Sequence, residues 1–307
     1  MKKRIVILGA FGKVGESIFN FLRLNTDWEI LGFARYKDYL KPFWTRQHCD
    51  YDILNFRELK NHLISLSPDY IINAAAFTNV DGCEEFKSDC WKLNSDLVKI
   101  LASVCAITGA HLIHFSTDYI FDGRMGPYRE VAQPNPINFY GKSKLSAENS
   151  IKLVDIKYTI IRTNFLFGIS KSGKKTFVDF AIDHLTIGKP INVVDSLYSN
   201  PIITSDISEG VWRIINNNYL GIINLAGNDW ISRFGIARII ADAGNFDLKL
   251  INKVNLNEVE FLANRPEKAG LINLKAKKEL GMNFMSIHKS IEHFLKLLNL
   301  TKISSSN

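Results

Sequence analysis

The chain has 307 residues, 46% of them hydrophobic and 22% charged, which is ample for a packed core in one large or two modest domains. Its net charge of +7 comes from scattered Lys and Arg, and the one tight cluster is Lys171-Ser172-Gly173-Lys174-Lys175. That scatter argues against a nucleic-acid partner, while a positive field suits a small anionic ligand. Met1-Lys2-Lys3-Arg4 before Ile5 to Leu8 imitates an export signal, but the apolar run is too short and meets Gly9 instead of a cleavage site. No apolar stretch approaches the roughly 20 residues that cross a bilayer, so a cytoplasmic protein with no membrane partner is expected. Cys49, Cys83, Cys90 and Cys105 form neither a CxxC pair nor a zinc spacing, so they are expected as reduced, buried thiols, with no metal site.

In chain order, a first strand is expected over Arg4 to Leu8, a helix over Val14 to Leu24 and a second strand over Glu29 to Phe33. Helix Phe56 to Leu66, strand Tyr70 to Asn73, helix Cys90 to Thr108, strand His111 to Ser116, helix Pro136 to Leu153 and strand Tyr158 to Arg162 follow. The alternation predicts βαβ units: an α/β fold with a doubly wound parallel (Rossmann) sheet and ligands beyond the carboxyl ends of its strands. After Gly168 come a glycine and lysine loop, a helix over Phe177 to Thr186 and an exposed stretch ending at Asn200-Pro201. Asp206 to Asn216 and Gly221 to Ala226 predict a helix and strand that return to the sheet. The expected organisation is a cofactor domain of residues 1–165 and about 204–226, with a smaller discontinuous C-terminal substrate domain of about 166–203 and 227–300. A last helix is expected over Ser286 to Leu298, and residues 301–307 are expected as a disordered tail.

Gly9-Ala10-Phe11-Gly12-Lys13-Val14-Gly15 follows the first strand and opens a helix. Glycines there let the backbone turn and approach a pyrophosphate, whose charge is favoured by free amides and the positive helix end. At the end of the second strand, where an acidic residue would hold an NAD ribose, stands Arg35, which favours the extra phosphate of NADP; a solvated loop arginine is the plainer alternative. Ser116-Thr117-Asp118 brings hydroxyls to the sheet's carboxyl edge. Tyr140 and Lys144, four apart on a helix, share a face, so the ammonium is expected to approach the phenol and lower its pKa.

With these elements in this order the chain resembles the extended short-chain dehydrogenases, and more narrowly the dTDP-4-dehydrorhamnose reductase family. The narrower resemblance rests on Asn73-Ala74-Ala75-Ala76-Phe77-Thr78-Asn79-Val80-Asp81 with Glu84, on Ser116 through Gly123, on Pro136 through Leu145 with Glu148, and on Arg162-Thr163. It implies that Thr117 holds the substrate carbonyl oxygen, Tyr140 donates the proton, and Lys144 tunes Tyr140 and holds the nicotinamide ribose. It further implies NADP(H) along Gly9, Phe11, Gly12, Lys13, Val14, Gly15, Arg35 and Ala74 to Ala76, with Asp52 and Ile53 near adenine. Thr78, Val80, Asp118, Phe165 and Arg265 would meet a nucleotide-sugar substrate, with the Lys171 to Lys175 loop as a further diphosphate partner. The oligomeric state is open, a homodimer being one candidate. The implied reaction is NADPH-dependent reduction of the 4-keto group of a nucleotide-activated 6-deoxysugar.

Three positions depart from the family pattern: Asn164-Phe165 where Trp usually follows Arg-Thr-Ser, Ile202 after Pro201 in place of Thr, and Ala269 in place of Ser after Arg265-Pro266. All three belong to the expected sugar pocket, so the sugar preference is open. Asp118 either contacts substrate or braces a loop. His111 and His114 are expected as packed or hydrogen-bonded side chains, and Phe115, Phe121 and Phe165 as core or pocket walls. A rival reading is a non-catalytic NADP-binding regulatory subunit, against which the joint presence of Thr117, Tyr140 and Lys144 argues. An epimerase or dehydratase is disfavoured because no Glu follows Asp118.

Overall fold

The computed structural model describes residues 2–34, 48–50, 53–170 and 175–304. Strand β1 (Arg4–Leu8), helix α1 (Lys13–Asn25), β2 (Glu29–Ala34), β3 (His48–Asp50), α2 (Phe56–Leu66) and β4 (Tyr70–Asn73) open the chain. Then come α3 (Val80–Glu85), α4 (Lys87–Trp91), α5 (Leu97–Thr108), β5 (His111–Thr117), α6 (Phe139–Lys152) and β6 (Tyr158–Thr163). The remainder comprises β7 (Leu166–Phe167), α7 (Phe177–Thr186), β8 (Ile191–Val194), β9 (Tyr198–Ser199), β10 (Ile202–Ile203), α8 (Thr204–Asn216), β11 (Gly221–Asn224), β12 (Ile231–Ser232), α9 (Arg233–Gly244), β13 (Ile251–Val254), α10 (Leu274–Leu280) and α11 (Ile287–Ser304).

Seven strands in the order β11-β6-β5-β4-β1-β2-β3 form one sheet, and every neighbouring pair in it is parallel. The expected doubly wound α/β fold is what forms. Parallel strands covered on both faces need apolar residues on both sides, and β1, β4 and β5 supply them with near-continuous burial. One face packs Ile18, Phe19 and Leu22 of α1 with Ile207, Val211 and Ile214 of α8. The other packs Leu59 and Leu63 of α2 with Leu97, Leu101 and Cys105 of α5 and Ala147 and Ile151 of α6. A third cluster, Val178, Ile182, Ile191, Ile236, Ile240, Ile291 and Phe294, binds α7, α9 and α11 around the paired β8 and β13.

The winding reverses between β1 and β4, which opens a crevice at their carboxyl ends. The long helix expected over Cys90 to Thr108 is interrupted: α4 and α5 are joined through one wide, π-type turn at Lys92–Asp96. That turn carries Asn94 and Ser95, which are buried and bonded to neighbouring elements, in line with the habit of such turns at functional sites. The last helix runs through Ser304, so residues 301–304 are helical where a disordered tail was expected. Cys83, Cys90 and Cys105 are free and buried; the Cys49 side chain lies outside the described set. Among the described residues, no helix is long and apolar enough to cross a membrane and no cluster of His, Cys, Asp and Glu could hold a metal.

Candidate active site

The glycine turn is shaped by contacts rather than by flexibility alone. Gly9 adopts φ +77°, and a Cβ there would stand 2.7 Å from the Ala75 amide nitrogen, so β1 and the segment after β4 can touch only through glycine. At Gly15, the third residue of α1, a Cβ would stand 2.2 Å from the Gly9 carbonyl oxygen. Gly12 precedes the helix and lines a cavity of about 440 Å³ with Lys13, Val14, Ala74 and Ala76. This backbone cradle beside a helix N-terminus fits a dinucleotide pyrophosphate.

Across the same cavity stand Thr117, Asp118, Tyr119 and Tyr140. Thr117 ends β5, and its hydroxyl accepts from the Tyr119 amide at 3.2 Å. Tyr140 lies in the first turn of α6, whose N-terminus is capped by Asn138 through the Gly141 amide (2.8 Å). Glu84 accepts from the Phe139 amide at 2.8 Å. Asn94 ties α6 to the strand-end loop, donating to Ser143 Oγ (3.0 Å) and to the Phe77 carbonyl (3.2 Å) while accepting from the Phe77 amide (2.8 Å). Below them Arg162 on β6, 1% exposed, forks onto Glu148 at 2.9 and 2.8 Å, and Ser116 donates to the same carboxylate at 2.7 Å. Arg162, Glu148 and Ser116 therefore fix α6 against β5 and β6 and so set where Tyr140 points.

The Tyr140 phenol is hydrogen-bonded to Thr117, yet burial, with Asp118 adding to it, pushes its pKa up. The expected lowering by Lys144 is not seen. Lys144 stands behind the cavity, 2% exposed, with Nζ 3.4 Å from His114 Nε2, and burial pushes its pKa down to about 8. His114 in turn meets Asn73 Nδ2 through Nδ1 at 3.2 Å, and Asn73 Oδ1 accepts from the Ala75 amide at 3.2 Å. The histidines are thus hydrogen-bonded, as expected: His111 Nε2 lies 2.8 Å from Thr159 Oγ1. Asp118, 2% exposed, has its pKa raised to about 7 by burial, against which the Gly270 amide (3.2 Å) works. It both lines the cavity and braces Gly270.

Of the residues expected at the site, Gly12, Lys13, Val14, Ala74, Ala76, Thr78, Val80, Thr117, Asp118, Tyr140 and Phe165 line one cavity. Gly9 lies against Ala75 and Gly15 against Gly9, and none of the three is a lining residue. Phe11 lies within the turn between β1 and α1 and is not a lining residue. The Ile53 side chain is buried in the core with Leu59 and Leu63 and is not a lining residue. Arg265 is also drawn away, paired with Asp81, stacked 4.8 Å over Phe261 and bonded to Tyr119, and it is not a lining residue. Arg35, Asp52 and residues 171–174 of the lysine loop lie outside the described residues, while Lys175 lines the cavity and pairs with Asp183 at 2.7 Å. Asn164, expected in the sugar pocket, lines the cavity, and Leu197, Tyr198, Ser199 and Arg233 line it without having been foreseen as ligand contacts.

Fold and cavity together define an α/β protein of the short-chain dehydrogenase class. The model of the RmlD substrate binding domain matches residues 2–300, and the chain belongs to that family. It is 28% identical over 292 residues to dTDP-4-dehydrorhamnose reductase of Aggregatibacter actinomycetemcomitans, covering 91% of this chain and 94% of that one. It is 27% identical over 275 residues to methionine adenosyltransferase 2 subunit beta of Danio rerio, covering 88% and 82%. Among solved structures, dTDP-4-dehydrorhamnose reductase of Bacillus anthracis in complex with NADP superposes with a TM-score of 0.83 at 26% identity, covering 96% and 99%.

Proposed function

We propose that the protein reduces the 4-keto group of a nucleotide-activated 6-deoxysugar with NADPH, in deoxysugar or surface-polysaccharide synthesis. The observation that carries this reading is the meeting of Thr117 and Tyr140 with the glycine turn in one cavity. NADPH, when bound, supplies the hydride. Thr117 holds the carbonyl oxygen, and Tyr140, kept protonated at neutral pH by its raised pKa, gives its proton to that oxygen as negative charge develops. In this reading Lys144, buried behind α6's cavity face, is assigned the ribose and the stabilisation of the phenolate left by that transfer. The cofactor domain and the smaller substrate domain meet along this cavity. Relatives that are named dTDP-4-dehydrorhamnose reductases support the substrate class. The test is NADPH oxidation across 4-keto-6-deoxysugar nucleotides, and absence of turnover with all of them overturns the reading. Titration should also show NADPH bound more tightly than NADH, with Arg35→Ala eroding the difference by about 1.5 to 3 kcal/mol; equal affinities in the unaltered protein would remove Arg35 from the site.

The similarity to methionine adenosyltransferase 2 subunit beta favours a second reading, an NADP-binding partner protein without catalysis. The two differ in what Tyr140→Phe does: it lowers turnover steeply in the first and leaves the biological output unchanged in the second.

A further inference from the structure

The cations around the cavity are not equivalent. Lys13 is held by the Gly168 carbonyl at 2.7 Å and by Asp179 at 3.2 Å, Lys175 by Asp183, and Arg265 by Asp81. Arg233 is different. It is the first residue of α9, fixed through its amide to the Leu197 carbonyl at 2.9 Å. Its guanidinium lies 5.4 Å from the Phe165 ring centre and 5.5 Å from that of Phe177, and among the described residues it meets no carboxylate at ion-pair distance.

Two aromatic faces hold the planar group without consuming its N–H donors, so the fork stays available to the cavity. Its field reaches the substrate half, where it works to lower the pKa of Asp118. A second observation lies beside it. Both polar atoms of Asn164 and the hydroxyl of Ser199 are buried with no hydrogen-bond partner, and both residues line the same cavity as Arg233. Buried polar groups are ordinarily satisfied, so this corner is suited to a ligand that offers several oxygens. A carboxylate offers two, whereas a diphosphate with a flanking sugar offers oxygens enough for the guanidinium, the Asn164 amide and the Ser199 hydroxyl together.

We infer that Arg233, lying over the touching rings of Phe165 and Phe177, is the residue that grips the substrate's diphosphate, with Asn164 completing the contact. This rests on the nucleotide-sugar reading above and assigns the anion to a residue other than Arg265. Bidentate pairing of a guanidinium with phosphate oxygens is strong and geometrically demanding, so the position should discriminate Arg from Lys.

The experiment is calorimetric titration of the NADP-loaded protein with dTDP and with dTMP, for the unaltered chain, Arg233→Met and Arg233→Lys. The unaltered protein should bind dTDP more tightly than dTMP. Arg233→Met should weaken dTDP roughly 10- to 100-fold, the range for a hydrogen-bonded charge, with Arg233→Lys between the two. NADPH affinity and thermal midpoint should be unchanged in both variants. Unaltered dTDP affinity in Arg233→Met overturns the inference while leaving the substrate reading intact. An equal loss of NADPH affinity overturns it by placing Arg233 on the cofactor. Failure of the unaltered protein to bind dTDP at all overturns the inference, and the substrate reading falls with it only when turnover of every 4-keto-6-deoxysugar nucleotide is absent as well.

Discussion

Tyr140 and Lys144 share a helix face as their spacing dictates, but they do not share an immediate environment. Tyr140 faces the cavity and Thr117, whereas Lys144 is turned into the core towards His114. Tyr140→Phe keeps the ring and its packing while removing the donated proton. Turnover should fall by about 100- to 10,000-fold with NADPH affinity retained, and equal rates in the two proteins would take Tyr140 out of the mechanism. The helix period made the Tyr140–Lys144 pair legible from sequence. The contact with His114 was not legible, because it joins β5 to α6 across the core. Arg233 was invisible for a related reason: only the packing of α9 against α7, with the Arg233 amide on the Leu197 carbonyl, brings it to a cavity lined from both halves of the chain.

At the scale of elements, the turn between β1 and α1 and the seating of α6 carry the site. The turn could be read from the sequence because its glycines stand in strand-to-helix context, although its contact with Ala75 is a tertiary fact. Gly15→Ala would put a methyl group 2.2 Å from the Gly9 carbonyl oxygen, where only backbone can yield. The turn should distort, and NADPH titration should show a loss of at least tenfold in affinity; undiminished binding would mean that the cofactor does not use this turn. Glu148 and Arg162 appeared in the sequence only as family positions, and the fold gives them a physical role in holding α6 to β6. Glu148→Gln leaves the Arg162 guanidinium buried without its counter-charge, so urea denaturation should show a loss of about 3 to 5 kcal/mol. The break between α4 and α5 was not legible, since the apolar period of Leu93, Leu97 and Leu101 continues through it. What forces the wide turn is a set of side-chain bonds, from Asn94 to Phe77 and from Ser95 to Ser146, which no period records.

For the molecule as a whole, the buried titratable groups act on stability in opposite senses. Burial lowers the pKa of His111 to about 4 and holds that of His114 well below the ordinary value. In each case the unfolded chain takes up a proton that the folded one refuses, so stability is lost as pH falls through about 6.5. Glu148 works in the same sense: burial raises its pKa, but the hydrogen bonds and charge of Arg162 hold it net below the ordinary carboxylate, and its contribution is lost in acid. Asp118 opposes them. Its pKa is raised from 3.8 to about 7, chiefly by burial, so between those values the folded chain keeps a proton that the unfolded chain has released. Its effect is to reduce stability as pH rises from about 4 to 7, after which the cost is constant. Asp118→Asn is neutral at every pH and lacks this falling limb. The variant should match the unaltered protein near pH 4 and exceed it near pH 8 by roughly 2 to 4 kcal/mol, at about 1.4 kcal/mol for each tenfold difference in proton affinity. Urea unfolding at a series of pH values measures the difference directly, and an offset independent of pH would show that Asp118 ionises as freely in the folded chain as in the unfolded one. Asp118 lines the cavity beside Thr117, so the stabilised variant should also be the poorer reductase.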